Sequence, residues 1–125
     1  MIQALAAEKY VLVTSFRKDG TPVPTPVWAA VDGDALVAWT VAGSGKVKRI
    51  GNNPEVTITA CDLRGKPRGE AIKGRAEVLS AEETERVRSL LKKKYGLQGR
   101  LAINGSLLRR GRAGTVGLRI SPVSG

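Results

Sequence analysis

The sequence predicts a mainly β fold, a small barrel-like sheet of about six antiparallel strands with one long helix and short helices. Three observations predict it. Runs rich in Val, Thr and aromatic residues recur from Tyr10 onward, separated by glycine-containing turns. Two of those turns hold Asp-Gly pairs, Asp19-Gly20 and Asp32-Gly33, which accept the positive φ of tight hairpins. A single capped amphipathic stretch then stands between the fifth run and the last, so several strands, one helix and a closing strand follow one another. At 125 residues, 42% of them hydrophobic, the chain is expected to be one domain, residues 1–125, without repeats or low-complexity linkers.

Met1 to Glu8 sets Ile2, Leu5 and Ala6 on one face, the pattern of a short helix. Tyr10 to Phe16 reads as the first strand and Arg17-Lys18-Asp19-Gly20 ends it. The second strand is expected over Val23 to Val31 and the third over Ala35 to Val41, which together make an antiparallel meander. Pro22, Pro24 and Pro26 are spaced by two, so their missing N–H groups fall along one side of an extended chain. That marks the start of the second strand as a sheet edge, either guarded against other strands or facing a ligand.

Ala42-Gly43-Ser44-Gly45 reads as a loop, Lys46 to Ile50 as a short basic helix, and Gly51-Asn52-Asn53-Pro54 as its stop. Glu55 to Cys61 and Gly69 to Leu79 are the fourth and fifth strands. Ser80 and Glu83 form a capping box, and the helix they open runs to about Tyr95 with Val87, Leu90 and Leu91 inward. Lys92, Lys93 and Lys94 complement the negative end of its dipole and Gly96 ends it. Leu97 to Arg112 is expected to be irregular, Thr115 to Ser121 is the sixth strand, and the long helix is expected to plug one end of the barrel.

Lys and Arg number 21 against 11 Asp and Glu, a net charge of +10, which calls for an anionic partner. The excess is localised. Residues 1–45 carry 3 basic and 4 acidic groups, residues 46–75 carry 8 and 3, residues 76–100 carry 6 and 4, and residues 101–125 carry 4 and none. The positive character therefore begins abruptly at Lys46, just after the glycine loop.

The absences narrow the chemistry. Without a histidine, every triad or metal site that needs imidazole is excluded, and no metal is expected. A lone cysteine, Cys61, makes no disulfide within the chain, which with the lack of a signal-peptide pattern suggests the cytoplasm. No run is long and apolar enough to span a bilayer, and no membrane partner is expected. Nucleic acid is disfavoured as a partner because aromatic residues make up only 4% and none interleaves with basic residues for base stacking.

Gly43-Ser44-Gly45 opening a helix at Lys46 has the makings of a phosphate seat: close backbone N–H groups, a helix N-terminus and one full charge. The residues alone read more readily as a loop of small residues before a surface helix. It is not a Walker loop, since Thr40 stands where the first glycine belongs and Val47 where a hydroxyl belongs. It is not a dinucleotide fingerprint either, because Lys48 replaces the last glycine. Trp28 and Trp39 read as core, Cys61 beside Asp62 as an unreactive thiol, and Glu70 and Asp62 as surface partners of basic residues. No residue stands out as a nucleophile, so no catalytic side chain is named.

The segments "TSFRKDGTPVPTPVW", "WT…SGKVKRI" and "NPEVTITACD", followed by "GEAIKGRAEVL" and "KKKYGL", resemble the split β-barrel oxidoreductases related to pyridoxamine 5′-phosphate oxidase. Within them the chain is most similar to the small branch that uses the deazaflavin coenzyme F420. The resemblance covers most of the chain and rests on the order and spacing of the segments. It implies a split barrel of the flavin mononucleotide (FMN)-binding type and a homodimer with cofactor sites at the subunit interface. It further implies a reductase that passes hydride from the reduced deazaflavin to a small organic substrate such as a conjugated alkene, quinone or tetrapyrrole.

By the same resemblance, Pro24, Thr25, Pro26, Val27 and Trp28 would lie along the cofactor ring system. Thr40, Ser44, Lys46 and Lys48 would take its phosphate region, with Arg49 assisting. Coenzyme F420 is itself polyanionic, which matches the basic surface that starts at Lys46. FMN is the alternative cofactor, weakened because Pro22-Val23-Pro24 stands where FMN-using relatives tend to carry an arginine. A non-catalytic F420 or haem carrier, or a basic nucleic-acid-binding protein, is the alternative of another class.

Overall fold

The computed structural model describes Leu5 and residues 7–123, apart from the side chain of Arg112. The short helix expected over Met1 to Glu8 lies largely outside these residues. The strands are β1 (Tyr10–Phe16), β2 (Pro22–Val27), β3 (Ala29–Asp32), β4 (Ala35–Val41), β5 (Glu55–Cys61), β6 (Ile72–Val78) and β7 (Thr115–Pro122). Helix α1 (Gly45–Asn52) follows β4, and α2 (Ala81–Arg110) stands between β6 and β7. All the strand pairs are antiparallel and the sheet order is β2-β1-β5-β6-β7-β4-β3.

The two hairpins read from the sequence are present: Gly20 and Gly33 adopt positive φ, 88° and 62°, at the β1–β2 and β3–β4 turns. The single second strand is not. It divides at Trp28 into β2, which pairs with β1, and β3, which pairs with β4, so seven strands replace six and the meander is broken. Val27 and Ala29 flank one residue yet belong to opposite edges of the sheet. The sheet must therefore curl until its edges meet at Trp28, giving a half-barrel.

β2 is an edge strand, as its prolines require. Pro22, Pro24 and Pro26 sit opposite Phe16, Thr14 and Leu12 of β1, and all three are exposed. Alternation leaves Val23, Thr25 and Val27 to donate toward β1 while the proline nitrogens face outward.

Alternation also separates two cores. Val11, Val13, Leu36, Ala38, Val56, Ile58, Leu118 and Ile120 fill the concave side, and Ile50 from α1 closes it. On the opposite side of β3 and β4, Ala30 and Val37 meet Val87, Leu91 and Ile103 of α2, with Leu90 and Tyr95 packed alongside. The long helix thus covers the outside of the β3–β4–β7 face, and α1 is the element that closes the barrel. The long helix, expected to plug the barrel, does not; the short helix takes that place, because its one buried apolar residue reaches the concave core while the α2 stripe is wide enough to cover a sheet face.

The Ser80–Glu83 capping box is formed as expected. Gly96 does interrupt the helix, at φ 61° and ψ −135°, but the chain resumes helical geometry and continues to Arg110. The irregular stretch expected over Leu97 to Arg112 is therefore helical over residues 97–110. Its glycines depress helix propensity, and the turn at Gly96 resets the phase of the apolar pattern, so neither propensity nor periodicity carries across the break. Packing decides instead: Gly99 and Ile103 are buried, and a Cβ on Gly99 would stand 2.9 Å from Tyr95 Cβ and 3.1 Å from the Leu91 carbonyl oxygen.

Candidate functional site

A cavity of about 480 Å³ opens where the barrel seam, the end of β4, the start of α1 and the distal part of α2 converge. Pro26, Val27, Trp28, Trp39 and Val41 give it apolar walls, with Ala102 and Ser106 opposite. Lys46, Thr40, Thr115, Arg109 and Arg110 bring its polar groups, and none of its lining residues is acidic.

Trp28 is held in place from behind. Its ring stacks on Tyr95, centroids 4.5 Å apart and planes 11° from parallel. Tyr95 in turn accepts a hydrogen bond from the Ala29 N–H at 3.1 Å and donates to the Lys9 carbonyl at 2.7 Å. Lys94 donates to the carbonyls of Glu8 and Ala29 at 2.7 and 2.5 Å. Consecutive residues of α2 thereby clamp the seam at the point where the chain crosses between sheet edges. Burial lowers the Lys94 pKa and raises that of Tyr95.

Lys46 is the charge at the base of the cavity. It is only 6% exposed, and its Nζ donates to Thr40 Oγ1 at 3.2 Å. Burial, with a smaller contribution from the Arg49 charge, lowers its pKa to about 8, so it is still mostly cationic at neutral pH. A buried ammonium with one neutral partner retains donors for an anionic acceptor. Thr115 is fixed by Arg88, a 2% exposed guanidinium that donates to Thr115 Oγ1 at 2.7 Å and ion-pairs with Glu85. The buried Trp39 Nε1–H has no hydrogen-bond partner among the described residues.

The candidate residues divide. Pro26, Val27, Trp28, Thr40 and Lys46 come together around the cavity. The other five do not line it. Pro24 is exposed and Thr25 half-buried on β2. Ser44 is the N-cap of α1, its side chain accepting from the Val47 N–H, and Lys48 is exposed. Arg49 donates from Nε to Ser15 Oγ at 2.7 Å and covers Gly45. Sequence reasoning missed Ala102, Ser106, Arg109 and Arg110, which the helix beyond Gly96 delivers. A second amphipathic count restarted at Leu97 would have found that helix.

A flat ring with an anionic arm fits this donor set: aromatic and proline surfaces on the walls, an ammonium and hydroxyls at the base, guanidinium groups at the rim. A larger cavity of about 820 Å³ beside β5 and β6 fits less well, because Glu8 and Glu70 offset Arg68 and Lys73 among its lining residues. Among the described residues no helix is long and apolar enough to cross a membrane.

Residues 1–121 match the pyridoxamine 5′-phosphate oxidase family. The chain belongs to that family. It is a family of oxidoreductases that bind flavin-type cofactors. No curated protein sequence matches the chain. Solved structures share its fold at low identity. An F420 reductase aligns with TM-score 0.69 and 22% identity over 98% of this chain and 93% of its own. The heme storage protein HutZ from Vibrio cholerae gives 0.73 and 13% over 99% and 89%. A FAD-binding protein from Mesorhizobium loti gives 0.66 and 20% over 98% and 87%. The spread of ligands among these neighbours confines them to an argument about fold.

Proposed function

We propose that this family member is a homodimeric, cytoplasmic reductase that uses coenzyme F420, with a small conjugated alkene, quinone or tetrapyrrole as hydride acceptor. The observation that carries the reading is the buried Lys46–Thr40 pair at the base of a carboxylate-free cavity with aromatic walls. The opening of β2, Pro22-Val23-Pro24, supports F420 over FMN because it offers no arginine for a flavin phosphate.

When bound in its reduced form, the deazaflavin would supply the hydride, and water can supply the accompanying proton. The chain's own part is binding and placement. Lys46 and Thr40 would hold the phosphate arm, and Pro26, Val27 and Trp28 would lie along the ring system through backbone and apolar contact. The Trp28–Tyr95 stack keeps that wall in one orientation, and the apolar side chains exclude water from the reacting face. Arg109 and Arg110 would take the outer anionic groups. A second subunit would cover the open side beside the β2 edge.

Fluorescence titration of the ligand-free protein with F420, run beside FMN and with mixed-sequence DNA as competitor, tests this. Saturable binding of F420 alone, unaffected by DNA, is the expected result. Preference for FMN would move the protein to the flavin-using side of the family, and binding of neither would end the reading.

A further inference from the structure

The face of residues 97–110 turned away from the cavity is used neither by the fold nor by the reading above. Leu97, Leu101 and Leu108 are 74%, 67% and 90% exposed. At the helical repeat they fall within about 40° of one another around the axis, with Asn104 on the same line, opposite the buried Gly99 and Ile103. Asn104 also lines a neighbouring hollow of about 530 Å³ shared with Ser89, Lys92, Lys93 and Arg100. None of these three cations has a carboxylate partner among the described residues. The charge around them is one-sided: from Arg86 to Gly125 the sequence has ten Lys or Arg and no Asp or Glu.

We propose that this face docks on an anionic lipid surface. The three leucines enter the boundary between head groups and acyl chains, and Lys92, Lys93 and Arg100 take head-group phosphates. A line of exposed leucines flanked by cations on one helix is the pattern that lies in a bilayer interface, apolar side chains in the acyl boundary and charges among the head groups. Charge complementarity chooses the occupant. A second copy docked through the same patch would press one carboxylate-free surface against another, whereas an anionic leaflet attracts all three cations. A helix lying in the interface needs no spanning segment, so the proposal departs from the expectation of no membrane partner, which rested on the lack of such a segment. It does not depend on the cofactor.

The test is flotation of the whole protein with vesicles of phosphatidylcholine alone or with about 30 mol% phosphatidylglycerol, in about 0.1 M salt. Binding is expected only to the anionic vesicles. Leu97→Ser/Leu101→Ser/Leu108→Ser should weaken it by about tenfold or more, and Leu108→Ser alone, at the most exposed position, by about threefold. Lys92→Gln/Lys93→Gln/Arg100→Gln should weaken it and flatten its salt dependence. Circular dichroism establishes that each variant is folded, and the single substitution decides the matter if the triple one is not. Three results would overturn the proposal: no binding to anionic vesicles, binding unaffected by the leucine changes, or a leucine variant whose sedimentation shows a lost dimer.

Discussion

Lys46 Nζ donates to Thr40 Oγ1 across 3.2 Å, tying the first turn of α1 to the end of the strand before the glycine loop. The loop is therefore spanned by its own flanks, and the ammonium is held where water reaches it poorly. Its pKa of about 8, against an ordinary 10.5, follows from that burial first and from the Arg49 charge second.

The lowered pKa has two consequences of opposite sign. An anionic cofactor needs the protonated lysine, so affinity should be constant up to about pH 7 and fall as pH rises through 8. Folding responds the other way: between about 8 and 10.5 the unfolded chain holds the proton and the folded chain does not, so the Lys46 contribution to stability increases with pH in that window. Below it the charged, buried lysine is a fixed burden on the fold. Denaturant melts of wild type and Lys46→Met should differ most at pH 7, and the advantage of the variant should shrink by pH 10. A gap that stays constant would show the lysine to be better solvated than its burial implies.

Tyr95→Phe keeps the stack on Trp28 but removes the hydroxyl that accepts from the Ala29 N–H and donates to Lys9. Ala29 is fully buried, so its amide loses its side-chain acceptor. We expect a loss of about 1–3 kcal/mol in urea denaturation. A loss within error would place the clamp's strength in the aromatic contact alone.

Gly96→Ala puts a Cβ at φ 61° and ψ −135° with no atom within 4 Å to obstruct it, so its effect is purely one of backbone strain. About 1–3 kcal/mol of destabilisation is expected. Cofactor affinity should fall with it, because the turn at Gly96 aims Ser106, Arg109 and Arg110 at the cavity. Titration at a temperature well below the melting point separates the two effects.

Thr115→Val removes the hydroxyl that receives the Arg88 guanidinium at 2.7 Å. Hydrogen bonds to buried charged groups are worth about 1.5–3 kcal/mol, and a loss of that size is expected in equilibrium unfolding. Thr115→Ser should restore most of it. A Thr115→Val variant as stable as wild type would show that this hydroxyl contributes nothing to holding the guanidinium.

Much of this molecule was legible because local rules governed it. Asp19-Gly20 and Asp32-Gly33 dictate hairpins by φ alone, Ser80 and Glu83 cap a helix through their own backbone, and three alternating prolines can only lie on an edge. The division at Trp28 was hidden because Val23 to Val31 is a continuous extended run, and its change of partner is a property of the closed sheet. The helix beyond Gly96 was hidden by its glycines. Within the site, Lys46 could be named from the glycine loop before it and Thr40 only through the family resemblance, whereas Arg49, equally basic, is turned toward Ser15 by geometry that spacing does not encode.

β7 is the last strand in chain order and lies between β4 and β6. Its register joins Leu36–Val41 to residues 115–120, while the two Asp-Gly hairpins close over a few residues each. Refolding should therefore be fast for the hairpins and slow for closure, which waits on contacts far apart in sequence. During that wait, β4 and β6 expose unpaired ladders, and neither contains a proline; among the described residues the only edge guarded by prolines is β2. The aggregation risk of this protein thus resides in strands that are central once folding is complete, and Ala35–Val41, apolar and uncharged, is the segment a chaperone would need to shield.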